Sequence, residues 1–477
     1  MLMSDPEKAQ PLIHPSSITS TSSPPPSGFR DVPFLVGFLI TVATICFFGV
    51  TLGLDQLKSD GGDINPDDIT TDNSEAYKRL GACCAILFAV TIIMSSVFLS
   101  FLIKYATTAI RFCLKFNIAM YAVLAGVALV YSNALICVVC LLFLAISVCY
   151  YKRVQHRIPF ASSNLKIASH AVKAHFSLFF VVFFCTILGM AWVMVAYLAD
   201  IGIIHSLTSS SEDESDSDNT SGMVAVVGFV LLVALYWGAN VIKNIGHVTT
   251  AGVVASWWYE PSRSNIVSSA LCRSCTTSLG SIAFGSLIVA VIQALEAMVK
   301  KSRQGGESNI FSCIAACILA CLRDIAEYFN RWAFVYVGIK GTSFVQSGKN
   351  VMALFKNRGW SAIINDNLIQ NVLSLGSVVV GFIVGMVGFA IPLMSGDWIS
   401  GLPLFDDFGS NGASWVLFFV GFMIGLMLNM MMVSVIDSGV ATTYVCFAES
   451  PGVFENTHPA LFNDLASAWR IAHGDAF

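Results

Sequence analysis

A handful of ionisable and strongly polar residues fall within, or at the ends of, long apolar runs of this chain: Asn240, Lys243, Asp324, Glu327 and Asp437. A charge at membrane depth is expensive, so such a group is first read as holding an ion, relaying a proton or balancing a bound charge. The structural alternative stays open beside it. Lys243 and Asp437 lie near the ends of their runs, and Arg323 and Arg331 stand close enough in sequence to neutralise Asp324 and Glu327. Aromatic residues recur at the same places. Tyr236 and Trp237 precede Asn240, with Trp257, Trp258 and Tyr259 further on; Tyr328, Phe329, Trp332, Phe334 and Tyr336 follow Glu327. One reading is an aromatic belt at the membrane–water boundary. The other is a box for an organic cation, because a quaternary ammonium neither donates nor accepts hydrogen bonds and is held by ring faces.

Signatures of enzymes are missing. The Gly-Lys pair within Gly341 to Asn350 lacks the spacing and the following hydroxyl of a phosphate loop. Cys272 and Cys275 have neither a second pair nor nearby histidines, so no zinc site is expected. No H-E-x-x-H or G-x-S-x-G occurs, and no cofactor motif. The expectation is a protein that is not an enzyme and needs no cofactor.

The elements that must position these residues are apolar helices. Hydrophobic residues make up 56% of the 477 and charged residues only 12%, and mean hydropathy is +0.73. A soluble domain carries about twice that share of charge. With 26 basic and 30 acidic residues, nothing points to nucleic acid. A span needs about 20 apolar residues, and on that ruler the chain reads as an all-α polytopic membrane protein with about ten transmembrane helices. They run over 33–54, 80–103, two within 116–151, 176–199, 223–242, 274–295, a long or broken eighth over 310–339, 367–395 and 414–435. The uncharged run from Phe116 to Tyr151 is too long for one crossing, and Ser132-Asn133 supplies a turn. Gly49/Gly53, Gly381/Gly385 and Gly421/Gly425 have the small-xxx-small spacing of close helix contacts.

An even number of spans puts both termini on one side. With the N-terminus inside, the inner loops carry fourteen Lys or Arg and the outer loops six, so both termini are expected in the cytosol. Lys300, Lys301 and Arg303 then sit on the minority side. Asn219-Thr-Ser is a glycosylation sequon on the expected outer face, and acidic outer loops around 55–72 and 212–218 would concentrate cations there. Residues 1–30 are Ser- and Pro-rich and read as a disordered cytosolic tail, 31–446 as the transmembrane domain and 447–477 as a cytosolic C-terminal tail. The fourteen cysteines lie mostly in apolar stretches and imply no disulfide framework.

Three blocks carry a family resemblance: WGANVIKNIGHVTTAGVVASWWY (Trp237 to Tyr259), FNRWAFVYVGIKGTSFVQSGKNVMALFKNRG (Phe329 to Gly359) and DSGVATTYVCFAESP (Asp437 to Pro451). They resemble the choline transporter-like family, and the fungal and plant branch of pH-nine-sensitive proteins above all. The resemblance covers about residues 80 to 465. It implies a ten-span plasma-membrane carrier with cytosolic termini and choline or a related amine such as ethanolamine as substrate. The resulting reading is alternating access around a site between spans six and eight, the two expected to be interrupted. Tyr236, Trp237, Trp332 and Tyr336 would supply ring faces, Asn240 a polar contact to the hydroxyl, and Glu327 or Asp437 the balancing charge or a proton. A non-transporting membrane scaffold, with the tails as partner surfaces, is the alternative, and no channel filter is visible. Oligomeric state stays open.

Overall fold

A computed structural model describes residues 28–53, 71–131, 134–209, 217–304, 310–358, 361–395 and 412–473. Every regular element described is helical. Fourteen α-helices follow in order: α1 (Val32–Phe48), continued by a π-turn over Gly49–Gly53, α2 (Thr71–Val130), α3 (Ala134–Val154), α4 (Ile158–Ala174), α5 (Ser177–Ser209), α6 (Ser217–Tyr259), α7 (Ile266–Cys275), α8 (Leu279–Gln304), α9 (Ile310–Lys340), α10 (Phe344–Arg358), α11 (Ser361–Ser395), α12 (Gly412–Glu449), α13 (Pro451–Thr457) and α14 (Pro459–His473).

Among the described residues, eight helical stretches are long and apolar enough to cross a membrane. They leave large apolar side chains on the outside of the bundle, such as Val130, Leu135 and Phe180, which lipid rather than water must cover. α9 is not among the eight, since Arg323, Asp324, Glu327 and Arg331 crowd its middle. The protein is all-α and multi-pass.

Three elements differ from what the sequence suggests. The charged stretch around Lys104 to Lys115, expected as a loop, is helical, and α2 runs for 60 residues. Straight, it would measure roughly 90 Å, three bilayer cores. It turns instead at Tyr105, whose φ of −124° and ψ of 24° leave the helical region. The sixth and eighth spans are not interrupted: α6 continues from Ser217 to Tyr259 and α9 from Ile310 to Lys340 as unbroken helices. The two charged residues of α6 and the five of α9 leave the backbone hydrogen-bond ladder whole. The expected turn at Ser132-Asn133 falls outside the described residues, and the helices stop on either side of it.

Glycine spacing sets the closest contacts. α11 and α12 make the most extensive helix pair. A Cβ on Gly385 would come within 3.0 Å of the Phe418 carbonyl, and one on Gly425 within 3.0 Å of the Gly381 Cα. A Cβ on Gly53 would fall 2.5 Å from the Leu198 carbonyl, so the π-turn seats against α5 only because glycine stands there. All fourteen cysteines are free.

The short helices gather at one end. Asp31, ahead of α1, accepts the Ser281 hydroxyl at 2.7 Å and the Phe344 N–H at 2.8 Å, joining the starts of α1, α8 and α10. Lys340 pairs with Glu449 at 2.8 Å, Lys166 with Asp464 at 2.8 Å, and the Thr457 hydroxyl reaches the Trp258 carbonyl. The chain therefore enters α1 and leaves α12 at the same end of the bundle. Residues 447–473 form no extended tail, because α13 and α14 pack on α6 and α4. Trp258 stacks on Phe454 with ring centroids 3.8 Å apart, and His458 lies 4.1 Å from Trp257. Residues 1–27 and both acidic loops, 54–70 and 210–216, lie outside the described residues.

Candidate functional site

Polar residues recur at helical spacing on three neighbouring helices. Asn240, Asn244 and His247 share a face of α6; Ser286, Gln293, Glu296 and Lys300 share one of α8; Arg323, Glu327 and Asn330 share one of α9. These faces meet. Asn330 donates to the Gly285 carbonyl, and Asn244 donates to the Ser286 hydroxyl at 2.9 Å. Asn240 donates to Gln293 Oε1 at 2.8 Å, and Gln293 Nε2 donates onward to Glu327 Oε1 at 3.2 Å. Beyond them the Glu296 carboxylate binds Lys300 and Arg323, both at 2.6 Å. Gln293 lies twelve residues along α8 from Ser281, roughly 18 Å at 1.5 Å per residue. A hydrogen-bonded polar seam thus runs through the depth of the bundle.

Charge along the seam is uneven. Arg323 is held by Glu296 and also by Asp324 at 2.9 Å. Glu327 is half-buried and has an amide as its partner; among the described residues no cation lies within ion-pair distance of it. Glu296, Asp324 and Glu327 against Lys300 and Arg323 leave one uncompensated negative charge.

The second carboxylate expected to carry charge, Asp437, sits differently. Arg331 donates to its Oδ1 at 2.7 Å, with the side chains only 12% and 22% exposed. The Ser438 hydroxyl contacts His247 Nδ1, and His247 Nε2 faces the Arg331 carbonyl at 3.0 Å, so α6, α9 and α12 converge on this pair. Asp437 already has its countercharge.

The aromatic residues are packed rather than poised around open space. Trp237 donates its indole N–H to the Ala283 carbonyl at 2.8 Å and sets its ring against Phe38. Trp332 and Tyr336 are each 1% exposed. Their ring faces carry cations of the protein itself: the Arg331 guanidinium lies 5.9 Å from the Trp332 ring and the Lys340 ammonium 5.2 Å from the Tyr336 ring. Tyr236 is partly buried against the same core. Lys243 is exposed. Asn219 stands in the first turn of α6, and its side chain is outside the described residues. Among the described residues no group of three His, Cys, Asp or Glu is placed to hold a metal.

The structure thus joins Asn240 to Glu327, and the link is Gln293, which sequence reading passed over. Its signal was available: Ser286, Gln293 and Glu296 mark one face of an otherwise apolar helix. Asp31 flanks the first apolar run in the sequence, and nothing local points to its partners on α8 and α10.

A family model described as plasma-membrane choline transporter matches residues 138–452. Protein PNS1 of Cryptococcus neoformans var. neoformans is 28% identical over 480 residues, covering 93% of this chain and 83% of its own. Protein PNS1 of Mycosarcoma maydis is 28% identical over 95% of this chain and 85% of its own, and that of Debaryomyces hansenii 29% over 92% and 86%. The chain belongs to the choline transporter family, which gives it a membrane transporter-type role.

Proposed function

As a member of the choline transporter family, the protein is, we propose, a plasma-membrane carrier for choline or a related organic cation such as ethanolamine, working by alternating access. The observation that carries this reading is Glu327: a half-buried carboxylate on a helix inside the bundle, bound to an amide and lacking a cation partner among the described residues. A buried charge is tolerated when something neutralises it. A monovalent cation bound beside Glu327 would cancel the seam's uncompensated charge, and Asn240 could meet its hydroxyl through the same amide network.

Tyr236, Trp237, Trp332 and Tyr336 are proposed as ring faces for the ammonium in the state where α6, α8 and α9 part. In the packed state Arg331 and Lys340 hold two of those faces, so substrate and protein cations would alternate on them. Asp437 is assigned to holding Arg331 rather than to the substrate. Ten crossings follow from counting kinked α2 twice and adding α9 to the eight apolar spans, with cytosolic termini and Asn219 outside.

Uptake of radiolabelled choline by proteoliposomes tests the function. An inside-negative potential of 100 mV favours a monovalent cation by about 2.3 kcal/mol, roughly 50-fold accumulation at equilibrium. Vesicles holding the protein should take up choline or ethanolamine faster than empty ones and respond to the potential. Uptake equal to empty vesicles for both amines would sink the proposal.

A further inference from the structure

A hollow lies beside the helices that carry the polar seam. A cavity of about 410 Å³ lies between α8, α9 and α10, walled by Phe284, Phe329, Phe344, Val345 and Met352, with Lys349 at its rim. It is an open hollow, and none of the seam's polar side chains lines it. Its depth can be read from α1. Asp31 binds Phe344 at the start of α10, and three residues further along α1 Phe34 stacks on Phe284 at 4.0 Å. The hollow therefore sits one helical turn inside the boundary where the spanning helices begin.

α10 is built for such a boundary. Phe344, Ser347, Val351 and Leu354 are buried against the bundle. Val345, Lys349, Met352 and Lys356, at i, i+4, i+7 and i+11, form a single stripe on the opposite side, and all four are exposed. Val345 and Met352 are 52% and 54% exposed, which water would not favour. Neither lysine has an ion-pair partner among the described residues. A stripe alternating apolar side chains with cations, beside an aromatic-walled hollow at the depth of the first acyl carbons, matches a ligand with an anionic head and an apolar tail.

We propose that this hollow binds an anionic phospholipid of the leaflet on the side of the chain ends. An acyl chain lies against Phe284, Phe329 and Phe344, and Lys349 and Lys356 pair with the headgroup phosphate. The site is separate from the transport reading and stands without it.

The test uses the full chain in nanodiscs of phosphatidylcholine, alone or with phosphatidylserine. The readouts are thermal stability and the lipid retained on extraction, counted by native mass spectrometry. Phosphatidylserine should stabilise the protein and stay bound. Lys349→Gln with Lys356→Gln, both at exposed positions, should lower phosphatidylserine retention roughly 30-fold and leave stability in phosphatidylcholine unchanged. Met352→Trp, which fills the hollow from an exposed position, should reduce retention of both lipids. Inorganic phosphate added to phosphatidylcholine discs should shift nothing; a shift matching that of phosphatidylserine would show a free-anion site and overturn the assignment. Full phosphatidylserine retention in the double lysine variant would overturn it equally.

Discussion

Glu327 and Asp437 are both carboxylates on long helices of the bundle, and both qualify on sequence as groups that balance a substrate's charge. Their surroundings separate them. Asp437 meets a guanidinium at 2.7 Å in a node where three helices converge, with His247 and Ser438 alongside. Glu327 meets an amide at 3.2 Å in a seam that ends with negative charge in excess. A carboxylate with a resident cation resists exchange, because removing that cation leaves a buried charge behind. One held by an amide keeps its charge for a visitor. On the proposed reading the node stays together and the seam opens.

Breaking the node should have the largest effect. Asp437→Asn removes the charge while Arg331 stays largely buried, and losing one partner of a buried pair costs about 3–5 kcal/mol. With 12% and 22% of the side chains exposed, the lower end applies, and folded protein at the cell surface should fall sharply. Asp437→Leu combined with Arg331→Met should recover much of that loss, since a matched apolar pair leaves no orphan charge. Surface abundance and thermal stability of both variants read this directly. A well-folded Asp437→Asn variant that has lost uptake would reverse the roles assigned to the two carboxylates.

Glu327→Gln should do the opposite: keep the fold and lose transport. Gln can hold the amide contact to Gln293, so abundance should stay close to normal. A countercharge near 4 Å contributes up to about 4 kcal/mol at an effective dielectric of 20. Hydration along an open path softens this, and roughly ten- to hundredfold lower uptake is expected. Unchanged choline uptake at normal abundance would take the substrate site away from the seam.

The two regions were unequally legible in the sequence. Composition marks a membrane protein, since too few charges exist to cover so much apolar surface, and the length of the uncharged apolar runs marks its spans as helices. The glycine pairs on α11 and α12 announce their close contact by spacing. Asn240 and Glu327 stand out as polar residues in apolar runs, but their connection needs the third helix, and Gln293 is an ordinary residue near a span end until α6 and α9 flank it. The pairing of Arg331 with Asp437 joins positions 106 residues apart, a tertiary fact with no local sign. Spans six and eight were expected to break because charged residues and short apolar stretches interrupt their hydropathy. Helix formation depends on the backbone ladder, and partnered charges leave that ladder whole.

A smaller effect is expected at the packed end, away from both carboxylates. Burial beside Trp257 and Phe454 pushes the His458 imidazole below its ordinary value, so the folded state disfavours the proton. The unfolded chain then binds protons more readily than the folded one. The contribution is full above the unfolded value near 6.5. It declines as pH falls through that value toward the lower folded one. Thermal melts from pH 8 to pH 5 should show α13 and α14 loosening on the acid side, and His458→Phe, which keeps the stack, should flatten that slope. An equal slope in the variant would assign the acid sensitivity elsewhere.

The smallest effect should come from the pair that looks most like the Arg331–Asp437 node on paper. Lys166 and Asp464 also meet at 2.8 Å and also join distant parts of the chain. Their side chains, however, are 36% and 54% exposed, so water already solvates both charges and little is lost on separation. The contact between α4 and α14 rests instead on apolar packing, with Phe160 against Trp469 at 5.0 Å, 1% and 7% exposed. Lys166→Gln should therefore change stability by less than about 1 kcal/mol, and raising salt to 1 M should erase even that difference. Trp469→Ala, in the same contact, should cost several-fold more. If Lys166→Gln proved as damaging as Asp437→Asn, distance alone would decide what an ion pair contributes here, and the distinction drawn between the node and the seam by burial and partner chemistry would lose its basis.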